Sequence, residues 1–563
     1  MGEKVACRVS VVTSTRPKVV EGRFRHLLLW TDSFAPDLAN AAMAFTNEPD
    51  VERGIGRLFA RLDLTYAIVA VESLSGIITM AAGYNNLYPL YFCQDADGIV
   101  IKDALPCTSA DERLQHLDQS GFADFVARAV VAGPFELSID TLTFDRRWRT
   151  VPPGQRLAIS PDGRTLRCDV ADHVFQGIHE AIPPLGQAVD ELREAIDLRL
   201  VSLAQHGLVA SEFSGGIDSS IVRARCLARI ASRYRGGVTC RFPYLEFARE
   251  SEMQDAVLMH APGAVTTVDH RGFLPFSKLS EVPWHASPTL ASTAWGTFAS
   301  VARAARQVGA HFLLSGHGGD TLFRWHPEQK LQYGLPADVA RWLPPSLCRE
   351  VTARAHDIAI GLNAGPGEGF GGLWHPGLFD PCYPTALLRS GVPGVHYVSG
   401  LISRDVLRAA ARLWLADPPR DEQIQKAFAC SVFRSDLPDA LWRRPGKVDH
   451  LGIVYRGAIA ARQDILRVAE RSNELLDALG LPQAMFPAFA EAATRGIDSG
   501  NPMFSIMLAV SLWAGQKKPG TPEREVREQD KRYEAQIFIG KGGDDAKKCL
   551  KVFPCIQPSR INS

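Results

Sequence analysis

The sequence predicts an α/β protein whose larger part is built on a parallel sheet, and three observations carry that expectation. A short apolar run from Gly207 ends at Phe213, turns through Ser214-Gly215-Gly216-Ile217-Asp218-Ser219, and passes into the helical spacing of Ile221, Val222, Leu227 and Ile230. Strand and helix patterns then alternate, with strands expected at 237–242 and 264–268 and a helix at 250–260 between them. A further apolar run, His311-Phe312-Leu313-Leu314, leads directly into Ser315-Gly316-His317-Gly318-Gly319-Asp320. Such alternation places ligands at the carboxyl ends of the strands, where both glycine strings fall.

At 563 residues the chain is too long for one core. Pro183-Pro184-Leu185-Gly186 marks a break, so the expected division is 1–182, 183–515 and a tail at 516–563. Hydrophobic residues make up 46% and charged residues 22%, the composition of a globular enzyme. The formal net charge of zero recruits neither nucleic acid nor an anionic membrane, although a local basic patch stays compatible with it. Eleven Cys occur without a Cys-x-x-Cys pair and read as buried small residues in a reducing compartment. The N-terminus lacks the apolar core of a signal peptide, and no run approaches the ~18 apolar residues of a membrane span. A cytoplasmic location is expected.

In chain order, apolar and β-branched residues at 66–72 and 77–82 flank a turn at 73–76 and predict a hairpin. Strands at 90–92 and 98–102 and a helix after Ser120 follow. Val189, Leu192, Ile196, Leu200 and Leu203 recur at helical spacing and predict a packed scaffold helix.

At the first glycine string, Gly215 and Gly216 permit backbone angles and approaches that a side chain blocks. Hydroxyls and free N–H groups at a helix start suit an anion such as pyrophosphate. A plain Gly-Gly turn with Ser and Asp capping a helix would look the same. No Lys follows the glycines, so this is not a Walker A loop, and neutralisation must come from a metal and from elsewhere. Glu250-Ser251-Glu252 opens the next helix, where acidic residues favour the dipole. The region 425–460 reads as helical and contains Leu437-Pro438 followed by Arg443-Arg444-Pro445-Gly446-Lys447; basic helix ends are often simply solvated. The tail, with Lys517-Lys518-Pro519-Gly520 and a charged run at 523–532, suggests a flexible segment in which Cys549 and Cys555 have no evident partner.

The full string Ser214 to Ser220 resembles the pyrophosphate loop of the ATP-pyrophosphatase superfamily, and Ser315 to Asp320 resembles the Ser-Gly-x-Gly-x-Asp element of asparagine synthetases. Upstream, Gly83-Tyr84-Asn85-Asn86-Leu87-Tyr88-Pro89-Leu90-Tyr91 and Val151-Pro152-Pro153-Gly154 are similar to segments of class II glutamine amidotransferase domains. The resemblance implies an N-terminal αββα sandwich of that type, followed by an adenine-nucleotide α-hydrolase-like parallel sheet with helices on both faces. It also implies ATP and Mg²⁺, with Asp218 and Asp320 as metal carboxylates and Ser214, Gly215, Gly216, Asp218, Ser219, Ser220, Ser315 and Gly316 around the nucleotide. Lys447 would stabilise charge on the α-phosphate and acyl oxygen.

Departures from the asparagine synthetase pattern narrow the expectation. A glutaminase domain exposes Cys as its first residue after Met removal, whereas Gly2 stands here and Cys7 is internal, so a degenerate domain without glutaminase activity is expected. His317 and Thr321 replace residues usual in asparagine synthetase. Together with Glu212-Phe213 and Phe242-Pro243-Tyr244-Leu245-Glu246-Phe247, the second loop looks most like the lasso peptide cyclases. That resemblance implies adenylation of an Asp or Glu side chain in a precursor peptide and attack by the peptide's own N-terminal amine, with a leader-binding protein and a leader peptidase as partners. The alternatives are an amide or β-lactam-type synthetase acting on a small amino-acid-derived substrate, an inactive scaffold, and an RNA-modifying enzyme, which the absence of Cys pairs and basic charge disfavours.

Overall fold

The computed structural model describes residues 7–13, 17–31, 38–84, 88–95, 98–103, 110–132, 142–170, 174–175, 177–180, 182–244, 248–285, 287–324, 335–364, 385–416, 426–443, 451–497, 501–516, 532–539 and 550–555. Strands among them are β1 (Cys7–Thr13), β2 (Lys18–Glu21), β3 (Arg25–Thr31), β4 (Tyr66–Glu72), β5 (Ile78–Ala82), β6 (Tyr91–Asp95), β7 (Gly98–Lys102), β8 (Arg149–Thr150), β9 (Gln155–Ile159) and β10 (Thr165–Val170). They continue with β11 (Val209–Glu212), β12 (Tyr234–Cys240), β13 (Val265–Val268), β14 (Phe312–Ser315), β15 (His396–Ser399), β16 (Arg532–Ile539) and β17 (Leu550–Cys555).

The chain divides into two packed units, one made of Met1–Gly121, Ser138–Asp172 and Lys517–Ser563, the other of Phe122–Leu137 and His173–Gln516. In the first unit, one sheet runs β10-β9-β5-β4-β3-β2 and a second runs β17-β16-β1-β7-β6-β8. Period-2 alternation divides the first sheet's side chains between two cores. Leu28, Trp30, Val69 and Met80 pack with Phe92 and Ile101 of the second sheet, while Leu27, Leu29 and Ile68 pack with Phe45, Ile55 and Leu58 of the helices Leu38–Asn47 and Val51–Phe59. Both faces of β4 are thus buried, which explains its unbroken apolar run. The predicted hairpin is present, with Ala67 opposite Ala82. Two motif segments named above meet here: Gly154, at φ +71°, lies so close to Tyr84 that an added Cβ would fall 2.4 Å from Cε1.

Part of the tail departs from expectation. Arg532–Ile539 and Leu550–Cys555 form an antiparallel pair, and β16 lies antiparallel to β1 from Cys7 opposite Ile539 to Thr13 opposite Tyr533. Tyr533, Ala535, Ile537 and Ile539 alternate as a strand does. The adjacent charged run masks that pattern, and the strand's partner stands at the other end of the chain. Cys7 starts β1.

The second unit contains a wholly parallel sheet in the order β13-β12-β11-β14-β15. Helices pack on both faces. Trp295–Gln307 buries Trp295, Phe298, Val301 and Ala302 against Ala210, Val238, Leu313 and Tyr397, and Ile217–Arg229 packs against β11, β12 and β14. The scaffold helix is Leu185–His206, entered at Pro184 and burying Leu192, Ile196, Leu200 and Leu203. The expected strand at 237–242 instead spans Tyr234–Cys240, because the small Gly236 and Gly237 sit inside it against Ala264 and Val265. No helix among the described residues is long and apolar enough to cross a membrane.

Candidate active site

Strand order reverses between β11, the central strand, and its neighbour β14, and the crevice of an open parallel sheet lies at such a point. Each of these strands ends in one of the glycine strings. Gly215 has φ +82°, and an added Cβ would fall 2.8 Å from Gln254 Cγ and 3.0 Å from the Glu250 carbonyl oxygen, so both handedness and space demand glycine. The loop is tied to itself: the Ser214 N–H donates to Ser219 Oγ at 3.2 Å, the Gly216 N–H donates to Ser214 Oγ at 3.2 Å, and the two hydroxyl oxygens lie 3.0 Å apart. Gln254 Nε2 donates to the Ser214 carbonyl at 3.2 Å and to that of Cys240 at 3.3 Å, holding the loop to the end of β12. The helix Ile217–Arg229 starts at Gly216 with no side-chain cap hydrogen bond, and N–H groups at a helix start suit an anion.

The second loop presses on the first. A Cβ at Gly316 would lie 2.6 Å from Ser219 N, and one at Gly319 would lie 2.4 Å from Asp218 Cγ. Gly318 takes φ +85°, and the Ser399 hydroxyl donates to the His317 carbonyl at 2.8 Å, pinning the turn to β15.

A cavity of about 450 Å³ opens at this junction. Of the residues singled out from sequence, Ser214, Gly216, Asp218, Ser219, Gly316 and Asp320 line it. Gly215 supports the loop from behind, and Ser220 and Ser315 are fully buried outside the lining. Glu250, placed in the first turn of the helix Ala248–His260, also borders the cavity. Phe242, Phe273, Phe298 and Ile453 supply apolar wall. Lys447 lies outside the described residues.

Sequence reasoning missed Lys426. Its Nζ hydrogen-bonds both carboxylate oxygens of Asp218 and lies 3.0 Å from Asp320 Oδ1. The side chain is only 4% exposed, so this cation is committed to the site. Lys426 also has φ +56°, a left-handed conformation that costs a non-glycine residue about 1–3 kcal/mol and is retained where the surroundings fix it. It stands immediately before the helix Ala427–Phe433. In sequence it is one Lys before an apolar helix, without a motif of its own.

Two carboxylates that share one ammonium can share another cation. Among the described residues no group of three His, Cys, Asp or Glu could hold a metal by protein ligands alone. An oxygen-only pair suits Mg²⁺, which typically takes one or two carboxylates and completes its shell with water and phosphate. Asp218 and Asp320 therefore fit that ion, which would supply positive charge to an anionic ligand there. A second constellation borders the same cavity: the Tyr397 hydroxyl donates to Glu212 Oε2 at 3.0 Å and lies 3.0 Å from His317 Nδ1. Glu212 and His317 both line the cavity. Cys240, also in the lining, has its thiol pushed up to about 12 by burial, and further by Asp269 and Glu250.

In comparison with known families, residues 187–366 match the asparagine synthase family. That segment is asparagine synthetase-like. It spans both glycine loops and the first four strands of the parallel sheet, and it stops short of β15, Tyr397 and Lys426. No curated protein matches the chain.

Proposed function

We propose that the chain is an ATP-dependent, AMP-forming amide ligase that closes an isopeptide ring in a lasso peptide precursor. The observation that carries this reading is the convergence of Asp218, Asp320 and Lys426 on one cavity beside the loop Ser214–Ser219. The loop and the start of its helix would hold the β- and γ-phosphates of ATP, and Mg²⁺ on the two carboxylates would neutralise their charge. Lys426 would add a fixed positive charge where pyrophosphate departs. The substrate carboxylate attacks the α-phosphorus, pyrophosphate leaves, and an amine displaces AMP from the acyl carbon. Holding carboxylate and amine in one molecule makes the second step intramolecular, which is worth up to ~7–11 kcal/mol of barrier.

The lasso assignment rests on the likeness of the string Ser315 to Asp320 and of Glu212-Phe213 to those cyclases. It brings with it a leader-binding protein and a leader peptidase as partners. The test is incubation of the full chain with precursor peptide, peptidase, leader-binding protein, ATP and Mg²⁺. A product lighter by one water with AMP release is expected, and ADP as the nucleotide product would sink the proposal. Pyrophosphate exchange dependent on a free amino acid rather than a peptide would move the assignment to a small-molecule amide synthetase.

A further inference from the structure

Amide formation needs the amine as a free base, and the cavity carries a group arranged for that task. We infer that His317 Nε2 takes the proton from the attacking ammonium, with Tyr397 and Glu212 as positioning residues that set the His317 tautomer. This inference rests on the amide-ligase reading above.

The direction of the Tyr397 hydrogen bond decides the tautomer. Tyr397 has one hydroxyl proton, and it goes to Glu212 Oε2, an acceptor when ionised, at 3.0 Å. The contact of 3.0 Å between Tyr397 Oη and His317 Nδ1 must then use the phenol oxygen as acceptor and Nδ1–H as donor. A neutral imidazole protonated at Nδ1 has its lone pair at Nε2. Three elements fix this chain. Glu212 ends β11, His317 sits in the loop after β14 with its carbonyl held by Ser399, and Tyr397 is a β15 residue only 1% exposed. The phenol ring is packed edge-on against Phe298, with the ring centroids 6.0 Å apart. The arrangement is a carboxylate, a phenol and an imidazole in series, in which the carboxylate orients the base and stabilises the imidazolium that forms. Among the described residues, the other ionisable ones lining the cavity are Asp218, Asp320, Lys426, Glu250 and Cys240.

The step balances with the leaving phosphate or solvent as second proton acceptor. One ammonium proton passes to Nε2, the freed nitrogen lone pair forms the C–N bond, and the acyl C–O bond to phosphate breaks with its electron pair leaving on AMP. The second proton that the nitrogen sheds on becoming an amide passes to the departing AMP phosphate or to water.

Two measurements on the full chain test the inference. Imidazole ¹⁵N shifts in histidine-labelled protein, assigned with H317Q, should show His317 protonated at Nδ1, and E212Q or Y397F should redistribute the tautomers. A wild-type Nε2–H tautomer overturns the inference. The second probe is a pool of synthetic linear peptides with free N-terminal amines and internal Asp or Glu residues. H317N and H317Q should lose ring closure by ~10²–10⁴-fold, while peptide-dependent ATP–pyrophosphate exchange falls far less. The loss should shrink as pH is raised from about 7 to about 9, through the ~7.7–8.0 at which an α-amine deprotonates by itself. Equal losses in exchange and closure, or no loss, overturn the role of His317. Wild-type protein that catalyses neither exchange nor closure overturns the ligase reading instead.

Discussion

The Lys426 ammonium hydrogen-bonds both carboxylate oxygens of Asp218, joining the C-terminal helical segment to the first turn after the glycine loop. With Asp320 at 3.0 Å on the same nitrogen, one buried cation balances two carboxylates. Replacing Lys426 by Met removes that ammonium from between the two carboxylates, and a divalent cation then has more to gain. Mg²⁺ titrated alone into K426M should bind at least about tenfold more tightly than to wild type, equivalent to about 1.4 kcal/mol. Calorimetry on both proteins reads this directly. Adenylation in K426M should nevertheless fall by roughly 10²–10³-fold, the usual loss when one preorganised electrostatic group is removed. Unchanged Mg²⁺ affinity would show that the two carboxylates are not a shared cation site.

The contact between loops makes Gly319 a geometric requirement. A Cβ there would stand 2.4 Å from Asp218 Cγ and 2.7 Å from its Oδ1, so G319A must displace the carboxylate or the turn. A displacement near 1 Å costs about 10²-fold in rate when it misplaces a reacting or metal-binding group. G309A is the control, since Gly309 has φ +78° but open space around it. Both variants should lose stability, and only G319A should lose adenylation.

How much of this could be read from the chain depends on where the signal lies. The loops Ser214–Ser219 and Ser315–Asp320 were legible because glycine, hydroxyl and carboxylate residues crowd at the ends of apolar runs, and each string is local. Glu250 was legible as an acidic first turn, but its place at the cavity follows from sheet order, which no local pattern carries. Lys426 and Tyr397 were not legible. Each is an ordinary residue in its own segment, and acquires a role only when the parallel sheet brings β15 beside β14 and a later helix start over Asp218. Strand β15 is four residues long, too short for period-2 alternation to stand out. Lys447, the residue singled out by motif order, lies outside the described residues, so the structure neither joins it to this site nor separates it from it.

Behind the glycine loop, Arg225 forms two hydrogen bonds to Asp197, from Nε at 2.8 Å and from Nη2 at 2.6 Å, and a third to Asp436 at 3.1 Å. Arg225 and Asp197 side chains are 8% and 9% exposed, so neither charge can fall back on water. D197A removes one partner of a buried pair and should cost about 3–5 kcal/mol, read from the urea midpoint. The helix Ile217–Arg229 carries both Arg225 and the loop's Asp218, so the same variant should weaken nucleotide binding. A loss below about 1 kcal/mol would place this network among solvent-screened pairs.

Cys240 offers a chemical probe of the cavity. Its thiol is pushed up to about 12, first by burial and then by Asp269 and Glu250, so almost no thiolate exists near pH 7. Iodoacetamide should modify the exposed Cys168 well before Cys240 when the full chain is followed by mass spectrometry. Cys240 should become reactive only as pH approaches 12 or as the fold opens. Rapid labelling of Cys240 at neutral pH would mean that the cavity wall is wetter than its packing indicates.

The pairing of β16 with β1 makes a further prediction about the first unit. Full-length β1 is an interior strand, with β16 antiparallel on one side and β7 parallel on the other. Ending the chain after Gln516 removes β16 and β17 and turns β1 into a sheet edge with seven residues of unpaired backbone groups. An exposed edge of that length is a template for pairing with another chain. The truncated protein should therefore elute as dimers or larger species in size-exclusion chromatography at concentrations where the full chain does not. Hydrogen exchange should show protection lost along Cys7–Thr13, while the helix Ile217–Arg229 of the second unit exchanges as before. Introducing Lys at two alternate positions of the exposed strand, V9K and V11K, should reduce the association, because charge on an edge opposes strand addition. Truncated protein that matches the full chain in both elution and protection of β1 would show that the strand pair contributes nothing to the sheet it borders.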